Sequence, residues 1–110
     1  MSMEASIQTL IDKFHRKMDN DEEAKKEVAP IKKTINIDLG TEHYSLKLEN
    51  AQIDGFSPQM IDNADITILT TPESLQGLID GTLRPMKAYV TKKIAVKGKI
   101  QDLMFLKKFF

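Results

Sequence analysis

The stretch INIDLGTEHYSLKL, Ile35–Leu48, decides the fold class because its apolar residues recur with a period of two. Successive side chains of a β-strand point to opposite faces, so this spacing predicts two strands that each have one apolar face. The turn Gly40-Thr41-Glu42 separates them and predicts an antiparallel hairpin. The alternating apolar positions are Ile35, Ile37, Leu39, Tyr44, Leu46 and Leu48.

Three segments downstream extend the predicted sheet to five strands. Ala51–Phe56 is a shorter third strand, Asp65–Thr70 alternates as a fourth, and Lys93–Lys97, closed by Gly98, is the fifth. The polar residues between the apolar positions predict a sheet whose second face is open to solvent.

Helical spacing flanks the sheet on both sides. Ser2 is a candidate N-cap for an amphipathic first helix, Asn20 or Asp21 for a short polar helix before Pro30, and Thr71-Pro72 starts a helix that ends at Gly81. Pro85 starts a further helix with Met86, Tyr89 and Val90 inward, and Ile100–Phe110 is predicted to be helical. The first helix carries the stripe Met3, Ile7, Leu10, Ile11, Phe14 and Met18.

These elements predict an α+β domain in which a five-stranded, mainly antiparallel sheet has helices over one face. The chain has 110 residues, which fits one core, so residues 1–110 are expected to form a single domain.

Composition and motifs exclude several function classes. The chain has no cysteine and contains none of the glycine-rich, Ser-based or His-Glu catalytic patterns. His15 has Asp12 and Asp19 at helical spacing, but such groups are common on exposed helix faces, so we expect no catalytic residue, no metal site and no enzyme. The chain lacks a signal-type apolar region and a stretch of about 20 apolar residues, so we expect a cytoplasmic protein.

Charge is segregated along the chain although the formal net charge is zero. Residues 1–83 hold 8 Lys/Arg and 15 Asp/Glu, a balance of −7, whereas residues 84–110 hold 8 Lys/Arg and 1 Asp, a balance of +7. Overall neutrality and the lack of Trp and of a recognition motif argue against nucleic acid as a partner.

The segment ADITILTTPESLQGLIDGTLRPMKAYVTKKIAVKG, Ala64 to Gly98, resembles the sterol carrier lipid-transfer family, and IQDLMFLKKF continues in the same style. The family pattern is an Asp-containing lead into a strand, a Pro-initiated helix, a Pro-Met-Lys-Ala segment and a Lys-flanked strand. Ala51 departs from it, since the family usually has glycine in that hairpin turn. The resemblance implies an apolar tunnel between sheet and helices, and binding of sterols, fatty acyl chains, isoprenoids or phospholipids without covalent chemistry or a cofactor.

The residues expected to contact a lipid lie on the last three predicted helices. Each could equally be an ordinary residue of the hydrophobic core, because cores and apolar pockets have the same composition. The candidates are Leu75, Leu78, Ile79, Met86, Tyr89, Val90, Ile100, Leu103, Met104 and Phe105.

The basic C-terminal third has two readings, a solvated surface or a contact with an anionic membrane or a ligand headgroup. The residues proposed for the second are Lys92, Lys93, Lys107 and Lys108. The alternative function is a protein-interaction or homodimerisation module that serves a larger enzyme, with surplus apolar surface on the last helix; monomer and homodimer both remain open.

Overall fold

Residues 2–98 are described by the structure, a computed structural model. Its elements are α1 (Glu4–Asn20), α2 (Glu22–Val28), β1 (Lys33–Asp38), β2 (His43–Glu49), β3 (Gln52–Ser57), β4 (Ile66–Leu69), α3 (Pro72–Asp80), α4 (Pro85–Val90) and β5 (Ala95–Lys97). The predicted helix over 100–110 lies outside the described residues.

The five strands form one sheet in the order β3-β2-β1-β4-β5. The pairs β1–β2, β2–β3 and β4–β5 are antiparallel, and β1–β4 is parallel. The α+β class and the mainly antiparallel five-stranded sheet are therefore confirmed. The parallel pair arises because the chain leaves β3 at the sheet edge and returns through residues 58–65 to the free side of β1.

The first two helices begin and end close to the predicted residues. Asp21 is the cap of α2, since its carboxylate accepts a hydrogen bond from the Ala24 N–H at 3.1 Å. Ser2 is not the N-cap of α1; that position is Met3, and the Ser2 hydroxyl accepts from the Glu4 N–H at 3.0 Å. The buried residues of α1 are Ile7, Leu10, Ile11, Phe14 and Met18, as the stripe predicted.

The turn between β2 and β3 shows why Ala51 can replace glycine. Glu49 pairs with Gln52, and the two residues between them have positive φ, 54° at Asn50 and 59° at Ala51. Two consecutive left-handed residues define the turn whose twist suits a two-residue hairpin. Ala51 is only 2% exposed, so its methyl group packs in the core and offsets part of the backbone cost.

The second face of the sheet is less open than predicted. The Asn36 side chain is 5% exposed because its amide donates to the Ile61 carbonyl and accepts from the Ile61 N–H, both at 2.8 Å. Asp65 accepts from the Thr34 N–H and hydroxyl at 2.9 and 3.1 Å, and its own N–H donates to that hydroxyl. These bonds fix the segment 58–65 against this face.

Helix α4 presents its surface differently from the prediction. Met86, Tyr89 and Val90 were expected to face inward, but they are 36%, 39% and 73% exposed, and Ala88 is the buried residue. The N–H groups of Lys93 and Ile94 donate to the Ala88 carbonyl at 2.8 and 3.2 Å. These bonds, with the positive φ of 63° at Lys92, end this six-residue helix and turn the chain towards β5.

Candidate functional site

A small aliphatic cavity lies between α1, α3 and the helix-facing side of the sheet. Its volume is about 30 Å³. No polar side chain contributes to its wall, which consists of Ile7, Leu10, Ile11, Ile35, Ile37, Leu46, Ile53, Ile68, Leu75 and Leu78.

Regular secondary structure brings these residues together. The strand residues are the inward set of the alternation, and α1 contributes three residues at helical spacing. Thr71 fixes the start of α3, where its hydroxyl accepts from the Ser74 N–H at 3.2 Å. Leu10 is 7% exposed and lines the cavity on the α1 side, so it adjoins the unfilled space.

The cavity is too small for a lipid as it stands. Binding pockets for small molecules span about 300 to 1,000 Å³, whereas this one is close to the volume of one water molecule and has no polar wall that would hold water. Among residues 2–98 the implied tunnel is therefore not formed, and the space between helices and sheet is nearly closed.

The predicted ligand contacts separate into three groups. Leu75 and Leu78 line the cavity. Ile79 is half-buried and packs against the core without lining the cavity, and the exposed α4 side chains point elsewhere. The remaining candidates, Ile100, Leu103, Met104 and Phe105, lie outside the described residues.

Most of the lining was missed as a site by the sequence interpretation. It comes from α1 and from β1 to β4, whose stripe and alternation were assigned to the core. One feature of the sequence could have indicated the region: the apolar stripe of α1 and the apolar faces of four strands have to pack together opposite α3. Which of these residues adjoin empty space depends on packing and is invisible in periodicity.

Polar contacts tie α1 to its neighbours at three places. Near its start, the Met3 N–H donates to Glu42 Oε1 at 2.8 Å. One turn on, the Ser6 hydroxyl donates to Gln76 Oε1 of α3 at 3.0 Å. In its second half, His15 Nε2 accepts from the Ile53 N–H of β3 at 2.9 Å. Helix α1 is thus a cover on the cavity that is held along its whole length.

The hydrogen bonds at the start of α1 shift the pKa values of Glu42 and Tyr44. The Tyr44 hydroxyl donates a short hydrogen bond to Glu42 and also meets the Ser2 hydroxyl at 3.0 Å. Donation from Tyr44 and from the Met3 N–H lowers the pKa of the Glu42 carboxyl. Burial, together with the adjacent carboxylate, raises the pKa of Tyr44. Glu42 is therefore held as the carboxylate.

A polar cleft of about 510 Å³ lies outside the second half of α1. It is open to solvent and is bounded by α1, α2 and the β2–β3 turn. Its walls include His15, Asp19, Lys25, Asn50 and Asp54, with Ile53 at its inner side. Residues 2–98 contain no group of three His, Cys, Asp or Glu side chains placed to hold a metal ion.

The basic segment after α3 is partly described. Lys92 and Lys93 are exposed directly after α4, and Lys92 has a positive φ of 63°. Lys107 and Lys108 lie outside the described residues. Within residues 2–98, no helix combines the length and the apolar character needed to cross a membrane.

The fold and the cavity define a class: small α+β domains in which helices cover one face of a five-stranded mixed sheet over an aliphatic interior. Residues 11–110 match the SCP-2 sterol transfer family, and the chain belongs to that family. The resemblance inferred from Ala64 to Gly98 is thereby confirmed.

Solved structures share this fold at low sequence identity. A UbiJ-SCP2 ubiquinone synthesis protein aligns over 97% of this chain and 91% of its own, with a TM-score of 0.67 and 16% identity. Palmitated SCP2L2 from Aedes aegypti aligns over 93% and 91%, with a TM-score of 0.61 and 17% identity. A stereoselective inverting sec-alkylsulfatase from Pseudomonas sp. aligns over 77% of this chain, with a TM-score of 0.64 and 17% identity.

The domain also occurs inside longer proteins. This chain spans only 13% of the sec-alkylsulfatase chain that it matches. No curated protein matches the sequence.

Proposed function

We propose that the protein binds and transfers a lipid, without covalent chemistry, in the space between α1, α3 and the sheet. The observation that carries this proposal is the wholly aliphatic cavity at the centre of a member of the SCP-2 sterol transfer family. The relative from Aedes aegypti, which is palmitated, supports an acyl chain as one ligand class. Sterol and isoprenoid chains meet the same chemical requirement.

Ligand uptake in this proposal requires the cavity to expand. A lipid chain needs roughly ten times the present volume, so α1 and α3 have to move away from the sheet while the apolar chain replaces contacts between them. The driving force is removal of the ligand's apolar surface from water. An apolar wall does not depend on directional bonds, which allows such an exchange.

Native mass spectrometry of the purified protein, followed by organic extraction, tests the proposal directly. A lipid bound at one per chain is the expected result, and its identity gives the ligand class. Saturating ligand should also stabilise the fold, by about 2.7 kcal/mol at a free concentration one hundred times Kd. An unliganded mass that persists after fatty acids and sterols are offered contradicts the proposal.

A pair of substitutions locates the binding space. Leu10→Phe places a larger side chain beside the unfilled space and should weaken uptake at least tenfold while the protein stays folded. Leu69 is a half-buried residue of β4 that does not line the cavity. Leu69→Phe makes the same change there and should leave uptake unchanged. Equal uptake by both variants and the wild type places the ligand elsewhere.

Delivery to a membrane is a separate part of the proposal. The segment 84–98 has five basic and no acidic residues, and α4 exposes Met86, Tyr89 and Val90 among them. Each basic residue near an anionic bilayer contributes about 1 kcal/mol. Lys92→Glu with Lys93→Glu should reduce binding to phosphatidylserine vesicles, and Lys13→Glu with Lys17→Glu on the exposed face of α1 is the matched control. Binding that ignores both salt and anionic lipid contradicts this step.

A second candidate function is an interaction module that associates with itself or with a larger enzyme. The exposed apolar side chains of α4 favour it, as does the occurrence of the fold within a much longer alkylsulfatase. Sedimentation velocity over a range of concentrations discriminates the two: assembly that Val90→Asp abolishes supports the module. In either case we propose a cytoplasmic, non-enzymatic protein.

A further inference from the structure

Ile53 separates two spaces of opposite character. Its side chain lines the aliphatic cavity, and the same residue lies at the inner side of the polar cleft. Ile53 is 7% exposed, and among residues 2–98 it is the one residue that lines both spaces. A displacement at this residue would join an apolar interior to a polar surface cleft.

His15 holds this boundary closed. Strand β3 lies at the edge of the sheet, and Glu49 and Gln52 close the two-residue hairpin. The next pair, Leu48 and Ile53, is then a pair without mutual hydrogen bonds, so the Ile53 N–H points away from β2. His15 Nε2 accepts from this N–H at 2.9 Å. One bond therefore closes an open sheet edge and joins α1 to β3.

We propose that the line of contact between His15 and Ile53, the entry seam, is the route by which a lipid chain reaches the cavity. The apolar chain passes Ile53 into the interior, and the ligand's polar end stays in the cleft beside His15, Asn50 and Lys25. His15 is the residue that controls opening. This inference rests on the proposed lipid binding and adds the route and the position of the polar end.

The entry seam is easier to open than the other end of α1. Opening it breaks the hydrogen bond between His15 and the Ile53 N–H. Opening the start of α1 breaks the bonds that join Ser2 and Met3 to Tyr44 and Glu42, including a charge-assisted one. Helix α1 should therefore move at its second half.

Stopped-flow fluorescence with the methyl ester of cis-parinaric acid, a chain with no titratable group, tests the seam. His15→Ala should raise the association and dissociation rates together by about two- to tenfold, the equivalent of one hydrogen bond. Kd should change much less, because a gate affects both directions. Ser6→Ala removes the comparable bond between α1 and α3 and should leave the rates unchanged.

A second variant supplies a measurement that does not depend on His15→Ala folding. His15→Gln keeps a side-chain acceptor for the Ile53 N–H, so its association and dissociation rates should match those of the wild type. Rates in His15→Gln as fast as those in a folded His15→Ala would contradict a role for this hydrogen bond. Circular dichroism confirms that each variant is folded.

The results separate the two proposals. Lipid uptake with the same rates in the wild type and in His15→Ala rejects the entry seam and leaves lipid binding intact. Faster exchange in Ser6→Ala but not in His15→Ala places the route between α1 and α3 and also rejects the seam. A wild-type protein that takes up neither this probe nor any extracted lipid rejects both.

Discussion

The two faces of the sheet are covered in different ways. On one face, α1 and α3 cover aliphatic side chains that leave a small unfilled space. On the other face, hydrogen bonds join the segment 58–65 to β1. The Asn36 side chain bonds to the Ile61 backbone, and Thr34 donates to the Asp65 carboxylate. Both faces are buried in part, but the inward sheet side chains meet aliphatic neighbours on the first face, whereas Asn36 and Thr34 meet hydrogen-bond partners on the second.

The difference teaches where this fold can change shape. Dispersion contacts are weak individually and tolerate exchange of one apolar neighbour for another. A buried amide bonded at both ends has one acceptable geometry, and moving its partner leaves polar groups unsatisfied. Expansion for a ligand should therefore occur on the helix side, while the opposite face holds the strands in register.

The largest effect should come from breaking the polar face. Asn36→Ala removes both bonds to Ile61 and leaves its N–H and carbonyl without this partner, which should cost about 2–3 kcal/mol of unfolding free energy. Urea denaturation measures it. Asn20→Ala, at an exposed helix end, should stay within about 0.5 kcal/mol. Similar losses in the two variants would mean that Asn36 does not hold the segment.

The next largest effect is the loss of stability when a leucine on the helix side of the sheet is enlarged, which should differ between a tightly packed position and one beside the cavity. Leu48 is fully buried, so Leu48→Phe should overpack the core and cost about 1–3 kcal/mol. Leu10→Phe enlarges a residue beside unfilled space and should cost clearly less. Thermal unfolding of the two variants decides. An equal loss at both positions would show that the core has no room at Leu10.

A smaller effect should appear in the pH dependence of the polar face. Hydrogen bonds from the Thr34 N–H and hydroxyl to the carboxylate lower the pKa of Asp65. A lowered folded-state pKa stabilises the protein above the carboxyl's ordinary pKa, and this contribution is lost as the pH falls through the folded-state value. The stability difference between wild type and Asp65→Asn should therefore shrink on acidification, as denaturation at several pH values would show. A constant difference would contradict it.

The smallest effect is expected at the turn between β2 and β3. Ala51→Gly relieves about 1–2 kcal/mol of left-handed backbone cost. It also removes a buried methyl group, worth about 0.8 kcal/mol, and gives the unfolded chain about 0.4–1 kcal/mol more freedom. The net change should lie within about 0.8 kcal/mol in either direction. A clear gain in thermal stability would show that the Ala51 methyl contributes little packing.

Prediction from the sequence succeeded where local chemistry decides the outcome. Asp21 and Thr71 cap helices because their side chains reach the next turn, and Gly81 ends α3 with a positive φ of 81°. It failed for α4, whose buried residue is Ala88 and not one of the larger apolar side chains. It failed also for Asn36, whose burial depends on its hydrogen bonds to Ile61. Both errors arise because burial depends on what packs against an element, which the spacing of residues within that element does not show.

The sequence by itself determined the five strands, the helices of the described chain and the caps Asp21, Thr71 and Gly81, because periodicity and capping act over a few residues. It also carried the family pattern from Ala64 to Gly98. Tertiary structure decided the parallel pairing of β1 with β4, the residues that adjoin the cavity and the contact between His15 and Ile53, which lie 38 residues apart. The physical reason is that packing and hydrogen bonds at a sheet edge depend on which elements become neighbours, and the folding of the whole chain decides that.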